Sequence, residues 1–189
     1  GQVAWLADVP LDAANRPPKL KKSRLLVFVD AVADRPGEVR LAQPHGQMAW
    51  SQELEGRARG VLRELIAADA PPHITSVRNA FHVPGSLPGE SETQIFLGTD
   101  DGRPVSLNIL RRPGESPRWA VALGEMVDDS AAPPAPDSLL WYRLACTLPA
   151  EMPESSTADL TPEQVSSARA DYRVVIEELK SCTRNFPGR

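Results

Sequence analysis

Between residues 74 and 127, apolar and polar side chains alternate in short runs separated by turn residues, and this period of two confines the middle of the chain to antiparallel β-structure. The runs are 74–83, 94–99, 105–110 and 119 to about 127, with Trp119, Val121 and Leu123 alternating in the last. The second and third are joined through Thr99-Asp100-Asp101-Gly102-Arg103-Pro104. An Asp-Gly pair between alternating runs signals a hairpin, because glycine takes positive φ without steric cost. Further strands are expected at 25–32 (LLVFVDAV), at 39–42 after the Arg35-Pro36-Gly37 turn, and at 139–148 (LLWYRLACTL), the last of the chain.

Two segments follow the helical period instead. At 51–69, Ser51 is placed to cap a helix whose Leu54, Ala58, Val61, Leu62, Leu65 and Ile66 share one face, and Pro71-Pro72 ends it. Gly56 and Gly60 each weaken this helix by about 1 kcal/mol, so it depends on packing. The second helix, 161–184, is the best specified element. Thr161 is its N-cap, Pro162 its first residue, Gln164 completes a capping box, and Leu160 and Val165 form a hydrophobic staple. Its stripe is Val165, Ala168, Tyr172, Val175, Ile176, Leu179 and Cys182.

These patterns predict an α+β fold: an antiparallel sheet of five to six strands with two helices packed on it, the C-terminal helix tied to the last strand. Residues 1–23, with Pro10, Pro17 and Pro18, read as an extended N-terminal arm, and 24–189 as a single domain. The basic cluster Lys19, Lys21, Lys22 and Arg24 flanks and solubilises the strand that follows. Nineteen prolines against four Phe and two Tyr imply many loops and a modest core.

The two cysteines constrain the compartment. With period two, Leu140, Tyr142, Leu144, Cys146 and Leu148 share a strand face, while Cys182 lies on the apolar stripe of the last helix. Both thiols are thereby directed into one layer, and a Cys146–Cys182 disulfide is expected. Left reduced, the same residues would act as small apolar side chains. There is no Cys-x-x-Cys, and two cysteines do not make a zinc site. A disulfide places the protein in the periplasm or outside the cell. No apolar run approaches the ~18 residues of a membrane span. The chain begins at Gly1 without Met, which leaves room for a removed signal peptide or a membrane anchor upstream.

Motifs for chemistry are scarce. His73 and His82 stand nine residues apart and, on a regular strand, on opposite faces, so they share no metal without a bulge; His45 reads as a loop residue. Asp100 and Asp101 belong to the hairpin turn, Glu90 and Glu92 to the loop 84–92, and Asp128 and Asp129 to a strand end. Ser86 lies in Gly85-Ser86-Leu87-Pro88-Gly89, which is not a Gly-x-Ser-x-Gly nucleophile elbow, and neither glycine-rich phosphate fingerprint occurs. A net charge of −4 argues against nucleic acid as the main partner.

Of Trp5, Trp50, Trp119 and Trp141, Trp141 is the most informative, because with Leu139 and Ala145 it points away from the Cys146 face. Either another layer such as the arm covers that side, or Trp141 and Leu139 form an interaction surface. The text Gln94-Ile95-Phe96-Leu97, Asp101-Gly102-Arg103-Pro104-Val105-Ser106-Leu107 and Leu144 through Leu148-Pro149-Ala150-Glu151 resembles the extracytoplasmic domain of membrane-anchored anti-sigma factors, as does the order helix, strands, helix. That resemblance implies a sensor domain of a membrane-anchored regulator and transfers no site residue.

The function expected is a non-enzymatic extracytoplasmic binding domain for a protein or small ligand, with no cofactor, no metal site and no catalytic residue. The alternatives are the anti-sigma-like sensor, or a hydrolytic or metal-dependent enzyme in which His73 or His82 meets Glu90, Glu92 or an Asp in one pocket.

Overall fold

The computed structural model describes residues 2–124, 131–180 and 182. The chain divides into two compact units, one up to residue 59 and one from 60 to 184. The helix α1 (Gln52–Leu65) spans the division.

The first unit contains two ribbons of three-residue strands. β1 (Leu25–Val27) pairs antiparallel with β4 (Gln47–Ala49), and β2 (Val29–Ala31) with β3 (Val39–Leu41). The expected strand 25–32 is thus interrupted and joins no larger sheet. The break falls at Phe28, whose N–H donates to Gly46 O (2.7 Å) and whose carbonyl accepts from Ala42 N (2.9 Å). One residue therefore links both ribbons and ends the run. Within the segment expected as an arm, Ala4 forms an isolated parallel bridge with Glu38. Gly46 is the one buried residue among those described here. Polar contacts take the place of a core: Trp5 Nε1 donates to Gln47 Oε1 (2.7 Å), and the Arg24 guanidinium lies 3.4 Å from the centroid of the Trp50 ring.

The helix α1 does not pack on a sheet as its stripe implies, since none of its residues is buried and Leu62 and Leu65 are exposed. It is held locally. Ser51 Oγ accepts from Leu54 N (3.0 Å), and Glu53–Arg57 and Glu55–Arg59 pair at 2.9 and 2.8 Å.

The second unit is an antiparallel meander of β5 (Ile74–Pro84), β6 (Ser91–Thr99), β7 (Val105–Arg111) and β8 (Arg118–Ala122), in that order. The largest sheet therefore has four strands, not five to six. The Asp-Gly hairpin forms as expected: Gly102 has φ +79°, and Thr99 Oγ1 donates to Arg103 O (2.8 Å). Residues 125–130, with Asp128 and Asp129, lie outside the described residues.

The segment expected as the last strand is a helix, α2 (Leu139–Ala145), capped by Ser138, whose side chain accepts from Trp141 N. The reason is compositional: 139–146 holds no β-branched residue but three leucines and an alanine, which are strong helix formers. After a turn of 3-10 helix at Glu154–Thr157 comes α3 (Pro162–Leu179), with the expected Thr161–Gln164 capping box. It stops short of 184, because Lys180 leaves the helix at φ 59°.

Cys146 and Cys182 lie at disulfide distance, S–S 1.94 Å and Cα–Cα 4.9 Å. The clasp joins α2 to the chain after α3, rather than tying a helix to a strand: Cys146 is the C-cap of α2, and Cys182 follows the end of α3.

The core lies on one face of the sheet. Ile95, Leu97, Val105, Leu107, Ile109, Trp119 and Val121 meet Ala168, Tyr172, Val175 and Leu179 of α3 and Leu144 of α2. The Tyr172 hydroxyl donates to Pro149 O (2.7 Å), and burial pushes its pKa up, so it remains a donor.

Candidate functional site

Two features of the second unit concentrate chemistry or exposed surface, and they lie on opposite faces of the sheet.

On the core face, β5 is irregular, with register shifts between Ile74 and Ser76 and between Val77 and Ala80. A regular strand would turn Ile74, Ser76, Arg78, Ala80 and His82 inward. The two bulges put Val77 inside in place of Ser76 and Arg78, then restore the register, so that Ala80 and His82 are buried. His82 pairs across the sheet with Thr93, whose alternation with Ile95 and Leu97 keeps it on the same face. Arg111 extends the inward series Val105, Leu107, Ile109. Asp171 of α3 lies in the apolar stripe, three residues after Ala168 and four before Val175, and is 0% exposed.

These four side chains form one network. The Thr93 hydroxyl donates to Asp171 Oδ2, and Arg111 Nε donates to Asp171 Oδ1 at 2.5 Å. Because the Thr93 proton is committed to the carboxylate, Thr93 Oγ1 accepts from His82 Nδ1 (2.8 Å), which fixes the ring with its Nδ1 protonated. Gln164 Nε2 adds a hydrogen bond to His82 O (3.0 Å). A buried carboxylate with a guanidinium and a hydroxyl is satisfied on both oxygens, so the arrangement pins α3 to β6 and β7. Of the alternative readings, His82 does converge with an Asp, but His73 does not join it: His73 is exposed, ahead of β5, and its carbonyl accepts from Asp100 N (3.2 Å).

Glu90 and Glu92 stay apart from this cluster. Glu90 folds its carboxylate onto the Ser86 and Leu87 amides (3.1 and 3.3 Å), closing its own loop. Asp101 accepts from Arg103 N (3.0 Å) and Arg103 Nε (2.8 Å), which hold its carboxyl below the usual range. Among the described residues, no group of three or more His, Cys, Asp or Glu is arranged to hold a metal ion.

Neither residue of the expected interaction surface forms a free one. Leu139 is buried, and its N–H donates to Glu64 Oε2 (2.7 Å). Trp141 is half-buried against the core, stacks edge-to-face on Tyr142 and donates Nε1 to Leu179 O (3.1 Å). The strand alternation that pointed Trp141 away from Cys146 does not apply on a helix.

The exposed apolar surface lies on the outer face of the sheet. Phe81 (51% exposed) of β5 stands beside Phe96 of β6, their rings edge to face at 5.8 Å, and Val83 (62%) follows Phe81 on the same face of β5, opposite Glu92. Arg78 and Arg103 border a cavity of about 360 Å³ there. Sequence reasoning missed both features, although the parity of Phe81 and Phe96 against Ile95 and Ala80, and an Asp inside the α3 stripe, were visible signals.

Among the described residues no helix is long and apolar enough to cross a membrane. Comparison with protein-family models, curated proteins and solved structures gives no match to this chain.

Proposed function

We propose that this chain is a non-enzymatic binding domain that works outside the reducing cytoplasm, in the periplasm or beyond the cell, and contacts a protein partner through the outer face of its sheet. The observation that carries this reading is the pair of exposed side chains Phe81 and Val83 with the half-buried Phe96, where Arg78 and Arg103 border the cavity beside the two rings. Exposed aromatic and aliphatic groups with arginine at the rim have the composition of a protein-contact surface. The His82–Thr93–Asp171–Arg111 cluster supports a structural role for the groups otherwise suited to catalysis, because Thr93 and Asp171 spend their hydrogen-bonding capacity on each other and on Arg111 and His82. The Cys146–Cys182 pair supports the compartment.

The test compares partners captured from the native extracytoplasmic fraction by the wild-type chain and by Phe81→Glu and Val83→Glu, both surface changes. Loss of a specific partner in the variants, with unchanged melting temperature, supports the reading. Identical captured sets would sink it. Intact mass after thiol blocking of protein from its native compartment tests the location separately: two blocked thiols without reductant remove the argument for an oxidising compartment.

A further inference from the structure

A second cavity, of about 560 Å³, opens at the edge of the sheet beside β8. This is a size that small-molecule sites commonly have. Asn108 and Leu110 of β7 and Ala120 of β8 line one side, and Ala132 and Pro133 the other. The Ala132 carbonyl accepts from Val121 N (3.3 Å), so Val121 turns its N–H away from β7. In an antiparallel pair this direction repeats every second residue, and Trp119 therefore also turns its backbone N–H and C=O toward the edge.

One buried unmet acceptor and two solvent-facing cations converge here. Asn108 is only 5% exposed; its Nδ2 donates to Ser106 Oγ (3.1 Å), but Asn108 Oδ1 is, among the described residues, the single buried side-chain polar atom without a hydrogen-bond partner. Buried polar groups are nearly always paired, and one left unpaired inside a cavity wall marks the place of a missing donor. Arg112 and Arg118 also line the cavity, and neither guanidinium has an ion-pair partner among the described residues. The one carboxylate at the cavity, Glu178, is engaged by Trp119 Nε1 (2.7 Å). The wall thus leaves two guanidinium groups free to meet an anion, lacks a hydrogen-bond donor at Asn108 Oδ1, and offers apolar surface at Leu110, Ala120 and Pro133.

We infer that this cavity binds a small carboxylate ligand that carries an amide N–H next to an apolar side chain: an N-acylated amino acid or the C-terminus of a peptide. The carboxylate meets Arg112 and Arg118, the amide N–H is donated to Asn108 Oδ1, and the side chain rests on Leu110 and Pro133. The inference does not depend on the Phe81 surface.

The test titrates the full chain with N-acetyl-leucine, N-acetyl-leucinamide, acetyl-Ala-Ala-Leu and sodium acetate, followed by calorimetry and by NMR of the Asn108 side-chain amide and the Trp119 backbone amide. N-acetyl-leucine is expected to bind and move both signals, with the uncharged amide at least about tenfold weaker, the effect of losing a charge-assisted contact. Arg112→Gln and Arg118→Gln, both at exposed positions, should each weaken binding while leaving the melting temperature unchanged. Tighter binding of the tripeptide assigns the ligand to peptide C-termini, and equal binding assigns it to free acylated amino acids. No binding, equal binding of acid and amide, or equal binding of acetate overturns the proposal.

Discussion

The two units of this chain are built from similar local patterns and reach different ends. Both contain short antiparallel strands and turns rich in glycine and proline. In the unit from 60 to 184, strands of five to eleven residues pair four abreast and bury an apolar face under α2 and α3. In the unit up to 59, strands of three residues pair in twos, and among the described residues Gly46 alone is buried. The lesson is one of length and layering. A two-stranded ribbon has no face wide enough to exclude water from both sides, whereas a four-stranded sheet with a helix on it does. Indole and carboxylate hydrogen bonds do for the first unit what burial does for the second.

Core truncation tests this contrast most severely. Leu144→Ala, at a fully buried position of α2, is expected to destabilise the second unit by about 3–5 kcal/mol, and Met48→Ala, on a half-exposed ribbon, by less than about 1 kcal/mol. Urea unfolding followed at residues of each unit measures both; equal losses would erase the distinction. Reduction of the Cys146–Cys182 clasp, which closes a loop of 36 residues, should cost the second unit about 3–4 kcal/mol and leave the first unchanged. Melting with and without reductant reads this directly. Thr161→Ala removes the N-cap of α3 and is expected to cost about 1 kcal/mol, with hydrogen exchange rising first at the Gln164 amide.

The smallest effect is in the first unit and depends on pH. The Trp50 indole N–H, and then Arg59, hold the Glu55 carboxyl below its ordinary value of 4.5. A depressed folded-state pKa means the stabilisation is complete above the ordinary value and is lost as pH falls through the lower folded value. Trp50 fluorescence should therefore change only on acidification below the usual carboxylate range, and Glu55→Gln should flatten that change.

Much of the second unit was legible because each signal was local. The Asp101-Gly102 hairpin needs one positive φ, and the Thr161-Pro162-Gln164 start of α3 needs only its own amides. The pairing of Cys146 with Cys182 was reached through a strand that is in fact a helix. The result survives because Leu139, Tyr142 and Cys146 also share a helical face, three and four residues apart. Period two and period 3.6 agree over so few residues, and the absence of β-branched side chains, rather than the alternation, was the deciding signal. The inward Asp171 was readable from its place in the stripe, but its partners were not, since Thr93 and Arg111 lie 78 and 60 residues away.

The sequence by itself determined the α+β class, through the periods of its runs, and the antiparallel hairpin and the N-cap of α3, since these depend on neighbours along the chain. Tertiary structure alone decided that the largest sheet stops at four strands, that Asp171 finds Thr93 and Arg111, and that Asn108 is buried with its Oδ1 unpaired. Each of these turns on which surfaces lose water. That is set by contacts between residues far apart in sequence, which no local period encodes.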